Sequence, residues 1–285
     1  MNAAGMVRWG GAVLDGAGLG PGRREAWLLL RALSGIDAWL RPEVPVPPEA
    51  EAAYRAAVAR RAAREPFAYV VGRRFFRGIE LAVDRRALIP RPETEGLVEQ
   101  ACALLPRGGL AVDLCTGSGA VALAIAAERP DARVVATDLS DAALALAAAN
   151  ARRLGLDGRV RLCRGDLWDA VPPEARGSVD VCACNPPYVE AGEWSDLDPE
   201  VRDFEPREAL VATEGWRSLY GRIARGGEVW LRAGGWLLCE SAPAQAAPVA
   251  ALLRGPAWDA ADVMADAGGA PRIVRGRRAL PPEPR

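Results

Sequence analysis

Four short polar stretches could do chemistry, and each follows an apolar run typical of a buried strand. They are DLCTGSGA at 113–120, Asp138 in VVATDLS, Asp166 in RGDLWD, and NPPY at 185–188. Gly117 and Gly119 allow a tight turn and a close approach of the backbone to a ligand. Asp138 lies 19 residues after Gly119, where a carboxylate can accept both hydroxyls of a ribose. Asp166 suits an adenine amino group or a helix cap equally well.

The NPPY stretch offers hydrogen-bond acceptors, and its two prolines have no N–H to donate. The side-chain oxygen of Asn185 and the carbonyl of Pro186 can accept, whereas neither Pro186 nor Pro187 has an N–H to donate. Two fixed acceptors select an NH2 group with two donor hydrogens, as on a carboxamide or an exocyclic amine. Tyr188 adds a flat face that can cover a planar group. The stretch ends a strand, and it also predicts a site for a planar nitrogen.

The elements that must position these residues alternate between apolar strands and Ala-rich helices. Such alternation predicts a doubly wound α/β sheet. The predicted strands are LAVDLC, RVVATD, VRLCRGD, VDVCAC, GWLLCE, DAADVMA and PRIVRG. Ligands bind at the carboxyl ends of such strands, so the first four would bring Gly117, Asp138, Asp166 and Asn185 to one crevice.

A dinucleotide site is a rival interpretation of the glycine loop. The segment fits G-x-G-x-x-[GA] with Ala122 as its last position, and the acid at Asp138 suits that site as well. A plain tight turn before a helix is a further alternative. Both leave NPPY unexplained.

The pattern of the first 65 or so residues predicts helices without intervening strands. One helix begins at Pro21 and ends before Gly35, the expected positions for these two residues. A second is predicted over 48–64, and a β-hairpin with Gly78 in its turn follows. A further helix should start near Thr94. We therefore expect three parts, with boundaries at 1–72, 73–90 and 91–285.

Composition excludes several classes of protein. The chain has no His, which excludes His-based triads and His metal sites, and its six cysteines lack C-x-x-C spacing, so we expect no metal site. The 36 basic residues, all Arg, balance 37 acidic ones, so no nucleic-acid footprint is indicated. The N-terminus does not resemble a signal peptide, and no apolar run approaches the roughly 20 residues that span a bilayer. We expect a soluble, cytoplasmic protein.

Taken together, the four stretches resemble the class I S-adenosylmethionine-dependent methyltransferases that modify a planar nitrogen. Further segments resemble one family among them, the bacterial release factor glutamine methyltransferases of the HemK or PrmC type. These segments are REAWLLLRALSG, REPFAYVVGRRFF, LIPRPETE and VRDFEPREAL. The match runs in order from about residue 20 to residue 240, which makes it more specific than NPPY alone.

The resemblance implies a Rossmann-like class I methyltransferase sheet with a small N-terminal helical domain that recognises the substrate and a β-hairpin linker. It implies S-adenosyl-L-methionine as cofactor and, as partner and substrate, class-one peptide release factors, methylated on the glutamine of their Gly-Gly-Gln motif. Carried over residue by residue, the cofactor-binding positions are Cys115, Thr116, Gly117, Ser118, Gly119, Asp138, Asp166, Leu167 and Asn185. The substrate-binding positions are Asn185, Pro186, Pro187 and Tyr188, of which Asn185, Pro186 and Tyr188 are the expected catalytic residues.

The sequence departs from the family pattern at three places. Cys115 stands where glycine often precedes Thr116, so the loop must accept a β-carbon there. Glu240 is followed by Ser241, where the family often carries a His. The C-terminal segment ADAGGAPRIVRGRR keeps only the general form of its counterpart.

Other functions remain open on the residues alone. A DNA or RNA amino-methyltransferase shares NPPY, and a small amide or amine metabolite could replace a protein substrate. A non-catalytic binding protein could also keep this fold. Clustered arginines in and after the hairpin could form a solvated face or contact an acidic partner. They are Arg73, Arg74, Arg77, Arg85 and Arg86.

Overall fold

The computed structural model describes residues 1–281. Its helices are α1 Ala3–Gly16, α2 Gly22–Ser34, α3 Pro48–Ala62, α4 Phe67–Val71, α5 Glu95–Leu104, α6 Ala120–Glu128, α7 Asp141–Arg153, α8 Pro199–Arg202, α9 Trp216–Trp230 and α10 Ala246–Leu252. Its strands are β1 Arg73–Phe76, β2 Ile79–Ala82, β3 Leu110–Leu114, β4 Arg133–Asp138, β5 Val160–Arg164, β6 Val179–Cys184, β7 Leu231–Glu240, β8 Trp258–Ala265 and β9 Pro271–Arg278. None of these helices is both long enough and apolar enough to span a bilayer.

The chain forms two compact units. The first comprises Met1–Arg73 together with Asp198–Phe204, and the second comprises Arg74–Leu197 and the described residues from Glu205 onward. The return of 198–204 to the first unit was not predicted. The boundaries predicted at 72 and 90 stay predictions, and the last four residues of the predicted third part lie outside the described chain.

The first unit is helical, as predicted, because its apolar residues recur at helical spacing and bury one stripe of each helix. Ala26, Leu29 and Leu30 of α2 are fully buried in its core, and Gly35 ends α2 in the left-handed region at φ 70°. Arg61 of α3 is 5% exposed and pairs with Glu25 and with Glu200 of α8. This buried guanidinium therefore fastens the returning segment, since leaving it unpaired would be costly.

The hairpin predicted around Gly78 is present as the two-stranded sheet β1–β2. Arg77 and Gly78 both have positive φ, 47° and 79°, which is the backbone of a two-residue type I′ turn. The Arg77 Nε also donates to Glu128 Oε1 at 2.7 Å. Part of the arginine cluster is therefore engaged within the second unit and does not form a bare basic face.

A seven-stranded sheet in the order β5-β4-β3-β6-β7-β9-β8 forms the core of the second unit. The five strands β3 to β7 are parallel, and β9 is antiparallel to both of its neighbours. Each predicted strand has its counterpart here. The strand order reverses between β3 and β6, because β4 lies on one side of β3 and β6 on the other. A crevice is expected at that switch point.

Helix α6 packs on the sheet without a polar face, and its residues Ala120–Ala126 are all buried.

On α7, Asn150 is fully buried, and its carboxamide forms hydrogen bonds with two segments that are distant in sequence. It donates to the carbonyls of Ala82 (3.0 Å) and Ser118 (2.9 Å) and accepts from the Ala82 N–H (2.7 Å). The hairpin and the glycine loop are thus held by one side chain.

Candidate functional site

A cavity opens at the carboxyl ends of β3, β4, β5 and β6, where the switch point predicts it. Its lining includes the segment that follows the hairpin, the glycine loop after β3, and the ends of the next three strands. The lining residues used below are Arg91, Thr94, Asp113, Cys115, Thr116, Gly117, Ser118, Asp138, Leu139, Asp166, Leu167, Asn185 and Pro187. All belong to the second unit.

The glycine loop has the backbone that its sequence predicts. Gly117 and Gly119 lie at φ 56° and 84°, in the left-handed region that favours glycine. A Cβ on Gly119 would lie 3.0 Å from Leu123 Cδ1 and 3.2 Å from Ala147 Cβ, so glycine is also needed for close packing. Cys115 has φ 60°, a conformation that costs a residue with a side chain about 1 kcal/mol or more. The departure from glycine at this position is therefore accommodated with strain.

A buried carboxyl supports the loop from beneath. Asp113 is 1% exposed, and its Oδ2 accepts from Thr116 Oγ1 at 2.6 Å and from the Ala122 N–H at 3.1 Å. Burial raises the pKa of Asp113 to about 7, although these two hydrogen bonds oppose the rise. The loop is thus held by an acid that titrates near neutral pH.

Asp138 ends β4 at the edge of the cavity, beside the glycine loop. Its Oδ2 accepts from the Gly117 N–H at 2.8 Å and its Oδ1 from the Ser140 N–H at 2.9 Å. Burial raises the pKa of Asp138 above its ordinary value, and the backbone donors Ser140 and Gly117 oppose the rise. A carboxylate can accept about four hydrogen bonds, so each oxygen keeps capacity for a ligand donor.

The end of β5 places Asp166 and Leu167 in the cavity wall. Asp166 Oδ2 pairs with Arg222 of α9, which leaves Oδ1 as its available acceptor. Leu167 is 6% exposed and has φ 48°, so its apolar side chain is held in a strained turn. These residues can offer a ligand one acceptor and one apolar contact.

Asn185 projects from the end of β6 and lines the cavity. Its Nδ2 donates to Thr94 Oγ1 at 3.3 Å, so one of its two N–H groups is engaged there, and its Oδ1 remains as an acceptor. Pro186 behind it is buried. The Tyr188 carbonyl accepts from Gln245 Nε2 at 2.9 Å, and burial raises the pKa of the Tyr188 hydroxyl above its ordinary value. The NPPY stretch is therefore held at one end through the Asn185 side chain and at the other through the Tyr188 carbonyl.

Most of the predicted site residues line the cavity, and Gly119, Pro186 and Tyr188 do not. Every predicted cofactor position except Gly119 lines the cavity. Asn185 and Pro187 of the substrate set line it, whereas Pro186 and Tyr188 lie outside the wall. Their roles stay predictions.

Three contributors were missed by sequence reasoning. Glu205 of the FEP motif accepts from the Ile89 N–H at 3.0 Å and pairs with Arg91, so it holds the IPRPETE segment against the site. Leu139 is 64% exposed and lines the cavity. Thr94 receives the Asn185 amide. The signal for Glu205 and Thr94 was present, since both lie in the quoted motifs, but a motif does not indicate which atoms meet.

Comparison with known proteins identifies the class to which this fold belongs. The family model of the PrmC N-terminal domain matches residues 6–72, and that of the methyltransferase small domain matches residues 94–198. The hMettl16 catalytic domain, solved with the MAT2A 3′UTR hairpin 1, is similar in fold, with a TM-score of 0.57 at 18% identity over 80% of this chain and 82% of that one. The second unit is thus a Rossmann-like methyltransferase sheet.

Sequence relatives narrow the class to a family. A release factor glutamine methyltransferase from Cereibacter sphaeroides is 42% identical over 280 residues, covering 97% of this chain and 99% of that protein. One from Geobacter sulfurreducens is 36% identical over 275 residues, covering 95% of each. The chain belongs to the release factor glutamine methyltransferase family, and the fold predicted from the sequence is confirmed.

Proposed function

We propose that this protein transfers a methyl group from S-adenosyl-L-methionine to the side-chain nitrogen of the glutamine in the Gly-Gly-Gln motif of class-one peptide release factors. The observation that carries the proposal is the orientation of Asn185. One of its N–H groups donates to Thr94, and its Oδ1 remains as an acceptor at the cavity rim, beside two prolines that have no N–H to donate. A carboxamide NH2 has the two donors that this rim lacks. Near full-length similarity to the family supports the same substrate.

The cavity fits a cofactor that contains adenosine. Asp138 keeps acceptor capacity for ribose hydroxyls after its two backbone bonds, and Asp166 keeps one oxygen for an amino group. Leu139 and Leu167 offer apolar surface for a flat base. The glycine loop from Cys115 to Gly119 would hold the remaining part. When bound, S-adenosyl-L-methionine supplies an electrophilic methyl group.

The residues of the rim would make a poor nucleophile usable by holding it. A carboxamide nitrogen is barely basic, because its lone pair is delocalised. Asn185 Oδ1 and the Pro186 carbonyl would accept its two N–H bonds and fix its position at the cavity. Both acceptors are negative ends of dipoles, so they favour the positive charge that develops on the nitrogen during attack. Tyr188 would cover the planar group.

No general base is required before attack in this scheme. The methylated nitrogen is strongly acidic while it carries its extra proton, so that proton can leave to water. The site then works by placing the nitrogen and stabilising its charge, in keeping with a chain that contains no His.

The remaining assignments follow from the same proposal. The helical domain, predicted as 1–72, would recognise the release factor, and 73–90 would link it to the methyltransferase domain. The protein would act in translation termination in the cytoplasm, as a monomer, without stable binding to nucleic acid or membrane.

A methyl-transfer assay tests the proposal. The purified protein is incubated with labelled cofactor and with release factor, duplex DNA or ribosomal RNA in parallel. We expect label in the release factor alone, and none in a release factor whose Gly-Gly-Gln glutamine is replaced by glutamate. Equal labelling of that variant, or labelling of a nucleic acid instead, would contradict the proposal.

A further inference from the structure

We infer that Arg91 binds the carboxylate at the amino-acid end of the cofactor, and so selects S-adenosyl-L-methionine over adenosine sulfonium compounds that lack this group. The inference rests on the proposed function for the identity of the cofactor, and it does not depend on the protein substrate. Arg91 lies in the segment between β2 and α5, and its side chain is 31% exposed. It lines the cavity and belongs to the second unit.

One nitrogen of the Arg91 guanidinium is held by the protein, and the others are available to a ligand. Its Nη2 donates to Glu205, whose side chain is 1% exposed. Glu205 also accepts from the Ile89 N–H at 3.0 Å, so one buried carboxylate fixes both the side chain and the backbone of this segment. The Nε and Nη1 of Arg91 have no hydrogen-bond partner among residues 1–281. A guanidinium has five N–H donors in a planar fork that suits a carboxylate.

Arg91 is held at the end of the cavity where methyl transfer would occur. In the sheet order β5-β4-β3-β6, Asp166 and Asp138 mark the ends of the first two strands, and Asn185 marks the end of the last. The Arg91 carbonyl accepts from the Thr94 N–H at 3.1 Å, and Thr94 Oγ1 lies 3.3 Å from Asn185 Nδ2. The two acids that suit adenosine lie toward β5. The sulfur, and the amino-acid end joined to it, therefore belong to the part of the cavity that Arg91 lines.

The glycine loop has already used several of its backbone donors. The Thr116 N–H donates to the Thr137 carbonyl at 2.9 Å, and the Gly119 N–H donates to the Thr116 carbonyl at 2.9 Å. The Gly117 N–H donates to Asp138 Oδ2 at 2.8 Å. With these three donors engaged, a carboxylate in the cavity gains most from a charged donor in another part of the wall.

Within the described chain, the cavity wall holds two arginines, Arg86 and Arg91, and they differ in what they can still bind. Arg86 donates through both Nε and Nη2 to Asp84, at 2.8 Å and 2.6 Å. This bidentate pair occupies an edge of the guanidinium that fits a carboxylate, and it balances the charge. Arg91 engages Nη2 alone, so it is the arginine of this wall that is better placed to receive an anionic ligand.

The test compares two ligands that differ in the carboxylate. Calorimetry measures the affinity of S-adenosyl-L-methionine and of its decarboxylated form, which keeps the adenosine, the sulfonium and the ammonium group. In Arg91→Gln, the affinity for S-adenosyl-L-methionine should fall at least ~10-fold, the scale of one lost charge-assisted hydrogen bond. The affinity for the decarboxylated form should change less than about twofold. Arg91→Lys should lie between Arg91→Gln and the parent, because it keeps the charge and loses the planar fork.

The matched control is Arg86→Gln, which removes an arginine of the same wall that Asp84 already occupies. It should leave the ratio of the two affinities within about twofold of the parent ratio. The decarboxylated ligand is a second control, since a variant whose cavity fails to form loses both ligands. Equal loss of both ligands in Arg91→Gln and Arg91→Lys, or no loss of either, would overturn the inference.

The same measurement separates the inference from the proposed function. If the parent protein does not bind S-adenosyl-L-methionine, both are wrong. If the parent binds it and Arg91→Gln leaves the ratio of the two affinities unchanged, the inference alone is wrong. Labelling of a nucleic acid in place of release factor would overturn the proposed function and not the role of Arg91.

Discussion

Asp113 links the protonation of one buried group to the stability of the glycine loop. Its Oδ2 alone accepts both hydrogen bonds, from Thr116 and from the Ala122 N–H, so the second oxygen can carry a proton without losing either bond. The folded pKa of about 7 lies above the unfolded value of about 3.9. The folded state therefore binds more protons between these two values.

This difference predicts how the stability depends on pH. The contribution of Asp113 is fully present below about pH 4 and is lost as the pH rises through about 7. From pH 5 to pH 8 it should lower the free energy of unfolding by roughly 2–3 kcal/mol. Asp113→Asn keeps an oxygen for both bonds and should lack this loss. Urea unfolding at the two pH values measures it, and identical pH dependence in both proteins would show that Asp113 does not titrate as described.

For single residues, the sequence identified side chains of the candidate site but not which of them contact one another. Asn185, Asp138 and the glycine loop could be predicted, because strand ends in an α/β sheet converge and the motifs mark those ends. Thr94 could not be assigned to Asn185, since their contact joins two segments that lie 91 residues apart in the sequence. Cys115 could be recognised as a departure, whereas its positive φ required the structure.

At the scale of elements, Asn150 shows how one buried amide joins the hairpin to the glycine loop. Its three hydrogen bonds reach Ala82 at the end of β2 and Ser118 in the loop. The helix that carries it was predictable from its Ala-rich pattern. An asparagine within that pattern could equally face solvent, so its hydrogen bonds to Ala82 and Ser118 could not be predicted.

We expect Asn150→Leu to destabilise the protein by roughly 2–4 kcal/mol, because it removes three hydrogen bonds to backbone groups, one of them to the buried Ser118 carbonyl. Cofactor affinity should weaken as well, since Ser118 lies in the cavity wall. Arg152→Ala, on an exposed position of the same helix, is the control and should stay within about 0.5 kcal/mol of the parent. Denaturant unfolding together with calorimetric cofactor binding measures both effects. An unchanged affinity would mean that the loop does not depend on Asn150.

At the scale of the whole molecule, two compact units are built from four stretches of chain. The α/β sheet of the second unit and the helical character of the first followed from periodicity and from the alternation of strands and helices, whereas the strand order required the structure. The return of Asp198–Phe204 to the first unit could not be predicted, because it depends on the contact of Arg61 with Glu200, 139 residues away.

The role of Asn185 in methylating a glutamine side chain is the central claim of this account. One measurement tests it most directly, namely turnover on release factor by the parent protein and by Asn185→Ala, with the methylated residue mapped by mass spectrometry and cofactor affinity measured alongside. We predict that the parent modifies the Gly-Gly-Gln glutamine. We also predict that Asn185→Ala turns over at least ~10²-fold more slowly, with cofactor affinity nearly intact. Near-parental turnover of Asn185→Ala, or a methyl group on another residue, would contradict it.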